Sequence, residues 1–167
     1  ETGTRDLRRL SGLYRVMPIT ATLAMVAAAA MAGVPLLNGF LSKEMFLAEA
    51  LEDTSGTILD SILPVVATAA LALSVLYSMR FVHQAFFGPR PTGLAKEPHE
   101  PPFWMRLPIA VLVMACLLIG LFPAVVIGPA LNIAVIAILQ EDAPYYSLAI
   151  WHGFTQPLFL SLLALTV

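Results

Sequence analysis

The chain is short of charge. Only 12% of its 167 residues are charged, against about 25% in an ordinary soluble domain. No Asp, Glu, Lys or Arg falls between Arg15 and Lys43, between Asp60 and Arg80, between Arg106 and Glu141, or after Asp142. Each gap is about the length a membrane-spanning helix needs, roughly 20 residues. A soluble helical core would break such runs with polar faces. There is one cysteine, Cys116, inside an apolar run and without a neighbouring Cys or His at ligand spacing, so an internal disulfide is excluded and no metal site is expected. The chain also lacks a Gly-rich phosphate loop, a nucleophile elbow and a His-rich tract, which leaves soluble-type catalysis without support and predicts no bound cofactor. A net charge of -2 is not the strongly basic balance that a nucleic-acid partner calls for, and that partner is excluded.

What is present is apolar surface. Hydrophobic residues make up 59% of the chain, with a mean hydropathy of +0.84. This composition predicts an all-α, polytopic transmembrane bundle embedded in a lipid bilayer. Glu1 is not an initiator Met, no basic segment leads into a short apolar signal sequence, and the last apolar run stops at Val167 with no polar flank. The expectation is a piece of a longer membrane protein.

A basic loop, Arg5-Asp6-Leu7-Arg8-Arg9 with Arg15, precedes Met17-Pro18, and Pro is well placed in the first turn of a helix. The apolar run from Pro18 is interrupted at Gly33-Val34-Pro35, because proline removes a ladder bond and clashes with the preceding turn. A second segment runs from about Asn38 to Ala50. After the acidic connection Glu49, Glu52, Asp53 and Asp60, a helix is predicted over 57–87, followed by a Pro-rich hydrophilic loop to Arg106. Phe103, Trp104 and Arg106 have the make-up of an interfacial anchor before a helix from Leu107 to Phe122. Gly128-Pro129 is expected to separate this from a segment 130–139, tilted, re-entrant or interfacial, and the last helix is expected near Tyr145, after the acidic turn Glu141-Asp142. Lys and Arg concentrate in the N-terminal loop and in 88–106, so the positive-inside rule predicts residues 1–15 and 88–106 on the cytoplasmic side. The path closes only if 18–33 and 38–50 cross the membrane once together, as one broken helix.

Lys43 stands out within that broken helix. A charge near a bilayer centre costs roughly 2.5–3.5 kcal/mol by insertion scales, so an intramembrane lysine normally faces a bundle interior or a water-filled path. The competing reading is a straight helix that carries Lys43 to the outer surface, where it snorkels. Broken helices recur at the ion sites of transporters, since freed backbone groups can bind ions where they line a cavity. Glu44 is adjacent, about 100° around the helix, so the two side chains do not face each other. Asn38 and Ser42 could line a polar path or cap the helix. Tyr77, Arg80, His83 and Gln84 form a polar stripe on the third helix, read as an interfacial anchor or an auxiliary route. His152, in Trp151-His152-Gly153-Phe154, sits near an interface with a side chain suited to relay work.

These residues resemble a known family. Thr2 to Arg8, Leu13 to Pro18, Met31 to Glu44, and Trp151-His152-Gly153-Phe154 with Pro157-Leu158 are similar to the A-type subunit of the bacterial Mrp-type multisubunit Na+/H+ (cation/proton) antiporters. That family shares its core with the antiporter-like subunits of respiratory complex I. The resemblance implies a secondary transporter, not an enzyme, in the bacterial cell (inner) membrane. It exchanges Na+ or another monovalent cation for protons and assembles with other antiporter subunits. It also implies that Lys43, with Glu44 beside it, ends a chain of buried ionisable residues that carries protons. Residues 1–87 would then be the end of the antiporter-like core, 88–106 a cytoplasmic loop, and 107–167 the helices that follow. Two alternatives remain: a proton-pumping subunit of an NADH:quinone oxidoreductase, and a purely structural helix-packing segment.

Overall fold

The structure, a computed structural model, describes residues 2–4, 6–52, 58–89, 93–94, 96–139 and 153–166. The elements among them are helical: a 3-10 turn Leu13–Arg15, then α1 Pro18–Ala32, α2 Asn38–Glu52, α3 Ile58–Phe86, α4 Phe103–Leu121, α5 Pro123–Val126, α6 Gly128–Leu139 and α7 Gln156–Leu165. Two stretches, Ile62–Phe86 and Phe103–Leu121, are long and apolar enough to cross a membrane alone. At 15 residues each, α1 and α2 reach only about 22 Å apiece.

They act in tandem along α3. Leu13 and Ala21 pack against Ala85 and Phe86 at one end, the end of α1 meets Ser74 in the middle, and Leu51 shares a groove with Pro64, Val65 and Thr68 at the other. As the chain advances from 13 to 51, its partners on α3 retreat from 86 to 64. The two short helices are therefore one discontinuous helix antiparallel to a single long one. α7 packs against both α2 and α3, presenting Leu158, Ser161 and Ala164 inward.

The chemistry of the break differs from the expected one. Proline was expected to interrupt the helix, yet α1 has already ended at Ala32. Gly33 adopts φ 84, a left-handed conformation that glycine takes without a Cβ penalty. Its N–H donates to the Ala30 carbonyl and the Val34 N–H to the Ala29 carbonyl, the two bonds of a Schellman stop. Pro35 follows as the first corner of a turn closed by Leu37 N–H to Val34 O, 3.3 Å. The start of α2 is seated on the end of α1 at Gly39, where a Cβ would collide with the Ala30 carbonyl.

Other boundaries also moved. Phe103, Trp104 and Arg106 form the first turn of α4 instead of preceding it. The separation expected at Gly128-Pro129 lies earlier, at Phe122 and Ile127, and Gly128 opens α6. This is where proline is tolerated, in a first turn whose N–H groups have no intrahelical partner. The Glu141-Asp142 turn and the region near Tyr145 lie outside the described residues, and the last helix, α7, starts only at Gln156, behind the extended Thr155.

The two basic loops meet at one end of the bundle. Ser11 Oγ donates to the Pro89 carbonyl at 2.8 Å and the Gly12 N–H to the Phe87 carbonyl at 3.2 Å. Glu100 then reaches the start of α1, where Met17 offers no side-chain cap. Its Oε1 accepts from the Ile19 and Thr20 N–H groups at 2.7 and 3.3 Å, and its Oε2 from the Thr20 hydroxyl at 2.9 Å. A carboxylate at a helix N-terminus satisfies orphan donors and complements the helix dipole. Arg106 lies 3.8 Å from Glu100 Oε2.

Candidate functional site

The discontinuity creates a carbonyl with no helical partner. In an uninterrupted helix the Met31 carbonyl would accept from residue 35, and Pro35 has no N–H to give. The Schellman bonds serve Ala29 and Ala30 instead. Met31 O is left to accept from side chains, and it accepts two. Lys43 Nζ donates to it at 2.6 Å, and Ser74 Oγ, from the middle of α3, donates to it at 3.1 Å. Lys43 Nζ and Ser74 Oγ are themselves 3.4 Å apart. An amine, a hydroxyl and a main-chain carbonyl from three helices thus close a small polar triangle, part-buried between Lys43 and Ser74 and exposed at the carbonyl. The stem of Lys43 reaches it by passing over Gly33, where an added Cβ would lie 2.8 Å from Lys43 Cδ.

Glu44 points elsewhere, as a 100° step around the helix requires. It is buried, 6% exposed, and Glu44 Oε1 accepts a long 3.5 Å bond from the Thr155 hydroxyl at the start of α7. Asn38 opens α2 with Oδ1 buried and without a hydrogen-bond partner among the described residues. Ser42 is exposed and donates back to the Gly39 carbonyl of its own helix at 3.2 Å. Of the stripe on α3, Arg80 and His83 are exposed, and the His83 ring stacks on Phe87 at 6.4 Å, near the basic loops. The structure therefore brings Lys43 to the break and Glu44 to the α2–α7 contact, and it places the His83 ring against Phe87. His152 lies outside the described residues.

Ser74, Thr155 and Glu100 escaped the sequence reading. Ser74 had a usable signal: with Ser78 it puts two hydroxyls at i, i+4 in a long apolar run, and Ser78 is buried. Ser161 on α7 is also buried, 6% exposed, with its hydroxyl unpartnered among the described residues. No three His, Cys, Asp or Glu side chains come together among the described residues.

The chain is similar to known proteins. Residues 1–79 match the family model described as NADH:quinone oxidoreductase/Mrp antiporter, TM. The A/B subunit of a probable K(+)/H(+) antiporter of Rhizobium meliloti is 59% identical over 99% of this chain and 17% of its own length. The A1 subunit of a Na(+)/H(+) antiporter of Staphylococcus saprophyticus is 36% identical over 99% of this chain and 21% of its own. Among solved structures, that of the Mrp complex from Dietzia sp. DQ12-45-1b superposes with a TM-score of 0.80 at 33% identity, over 99% of this chain and 17% of that one. The chain thus spans about a fifth of the length of the relatives it matches.

Proposed function

Because residues 1–79 belong to the transmembrane family shared by NADH:quinone oxidoreductases and Mrp antiporters, we propose that the chain contributes the outer end of a membrane proton path to a subunit that exchanges a monovalent cation for protons. Lys43 is the residue we assign to the proton, with Glu44 as a second carrier on the neighbouring face of α2. The observation that carries this reading is the 2.6 Å bond from Lys43 Nζ to the Met31 carbonyl, which has no donor within its own helix. An intramembrane amine held by freed backbone at a helix break is the arrangement expected where an ion is handled and not merely anchored. In its charged form the amine has a backbone acceptor. On giving up a proton it keeps two N–H groups and gains a lone pair, so it can return to the ammonium form in the next cycle.

The relatives' printed names differ in the cation, K+ in one and Na+ in another. We assign the exchange to Na+ or another monovalent cation, driven by the proton gradient, within an assembly of further antiporter subunits in a bacterial cell membrane. Residues 1–15 and 88–106 take the cytoplasmic side on the positive-inside rule, a reading supported by the contacts that gather both loops at one end of the bundle.

The test uses inside-out membrane vesicles carrying the complete antiporter assembly. Lys43→Ala is expected to abolish cation-dependent collapse of an imposed pH gradient, with the assembled complex at wild-type abundance. Wild-type rates in that variant would refute the role. The family's shared description supports a second reading, a proton-pumping subunit of an NADH:quinone oxidoreductase. In that case NADH oxidation by the assembly would energise the membrane, and cation exchange without a redox substrate would be absent.

A further inference from the structure

We propose that Ser74 is a positioning residue for Lys43: its hydroxyl keeps the Met31 carbonyl paired whenever the lysine amine leaves it, so that Lys43 is free to move between two positions in the transport cycle. The proposal rests on the role given to Lys43 above. It goes beyond that role by assigning a function to a residue on another helix.

Met31 O has two lone pairs and no helical donor, and in this structure it accepts from Lys43 Nζ at 2.6 Å and from Ser74 Oγ at 3.1 Å. If lysine were its only partner, each departure of the amine would leave a backbone carbonyl without a donor, which is the costly way to break a hydrogen bond in a membrane-spanning segment, where no water takes the donor's place. With Ser74 in place, the amine's departure reduces the carbonyl from two partners to one. Ser74 Oγ also lies 3.4 Å from Nζ. A hydroxyl both donates and accepts, so the same oxygen can take a proton-bearing N–H of the ammonium while its own proton stays on the carbonyl. The proton that Lys43 exchanges goes to the transport path, and Ser74 remains a neutral hydroxyl throughout.

The surroundings leave Ser74 as the group suited to this task. α1 and α7 carry no titratable side chain. On α3 Tyr77, Arg80 and His83 are exposed, and the Asp60 position lies toward the other end of the helix. On α2 Glu44 turns to Thr155 and Glu49 is exposed. α4 carries Arg106, held at Glu100, and Cys116 in its apolar middle. The next turn of α3 supplies Ser78, whose hydroxyl donates to the Ser74 carbonyl at 2.8 Å and so is already committed.

The experiment measures exchange in inside-out vesicles containing the complete assembly, with Na+ and K+ as separate probes and rates normalised to assembled complex. Ser74→Ala is expected to lower maximal exchange about tenfold, corresponding to roughly 1.4 kcal/mol, with little change in the cation concentration giving half-maximal rate. Ser74→Thr, which keeps the hydroxyl, is expected to recover at least half of the wild-type rate. In a Lys43→Ala background Ser74→Ala should change nothing further. If Lys43→Ala abolishes exchange while Ser74→Ala turns over like wild type, the inference about Ser74 is overturned and the role of Lys43 stands. If Ser74→Ala and Ser74→Thr are equally slow, the hydroxyl is not the operative group and the inference also fails. Should Lys43→Ala itself exchange at the wild-type rate, the underlying reading falls with it.

Discussion

The side chain of Lys43 crosses Gly33 so closely that a single added carbon at position 33 would sit 2.8 Å from Lys43 Cδ and 3.4 Å from Nζ. The glycine that ends α1 is therefore also the opening through which the amine reaches the Met31 carbonyl. Gly33→Ala is predicted to fail on both counts. An alanine at φ 84 carries a backbone penalty of about 1–2 kcal/mol, and its methyl group displaces the lysine stem. Exchange per assembled complex is expected to fall at least tenfold, with a lower unfolding temperature of the detergent-solubilised assembly. A variant that lost stability but exchanged normally would show that Lys43 reaches its position without passing this residue.

Much of this was legible in the chain itself, and the reasons are physical. Charge-free runs about the length of a bilayer crossing can only be satisfied as helices, so the all-α class and the break before Lys43 followed from composition and from Gly33-Val34-Pro35. The cause of the break was misread because Gly and Pro both stop helices, and only backbone geometry tells which one did. The acceptor for Lys43 could not be found by scanning side chains, since Met31 contributes its carbonyl and looks like an ordinary apolar residue. Ser74 and Glu100 act across 31 and about 80 positions of sequence respectively, and no local pattern encodes contacts of that span.

Glu100 yields the second prediction. Its carboxylate serves two backbone N–H groups and one hydroxyl at the start of α1, thirteen residues ahead of Met31, at the helix's opposite end. Removing a helix cap costs about 0.5–2 kcal/mol, and a charged acceptor sits at the upper part of such ranges. Glu100→Ala is expected to lower the unfolding temperature of the assembly and to slow exchange by a smaller factor than Gly33→Ala. Glu100→Gln, which retains one carbonyl oxygen, should fall between Glu100→Ala and wild type. Equal unfolding temperatures for all three proteins would mean that the cap carries no stability.

Leu36 is held in an unfavourable backbone conformation. In the turn Val34-Pro35-Leu36-Leu37, proline occupies the first corner and Leu36 the second, with φ 72 and the Leu37 N–H bonded to Val34 O. That is the pattern of a type II turn, whose second corner is normally glycine or asparagine. A leucine there costs about 1–2 kcal/mol, while its side chain is 55% exposed in this chain and recovers little of that by burial. Its carbonyl occupies the space a side chain at Gly120 of α4 would take, so the backbone is fixed by packing and not by the side chain of residue 36. Leu36→Gly removes the steric penalty and adds backbone freedom to the unfolded chain worth about 0.5–1 kcal/mol. The two nearly offset, and the variant should assemble and exchange like wild type with an unchanged or slightly higher unfolding temperature. Leu36→Val, β-branched at a positive φ, should be the less stable of the two. If valine proved as stable as glycine, the turn would have to relax out of its left-handed corner, and the fixed approach of Lys43 to Met31 would lose one of its supports.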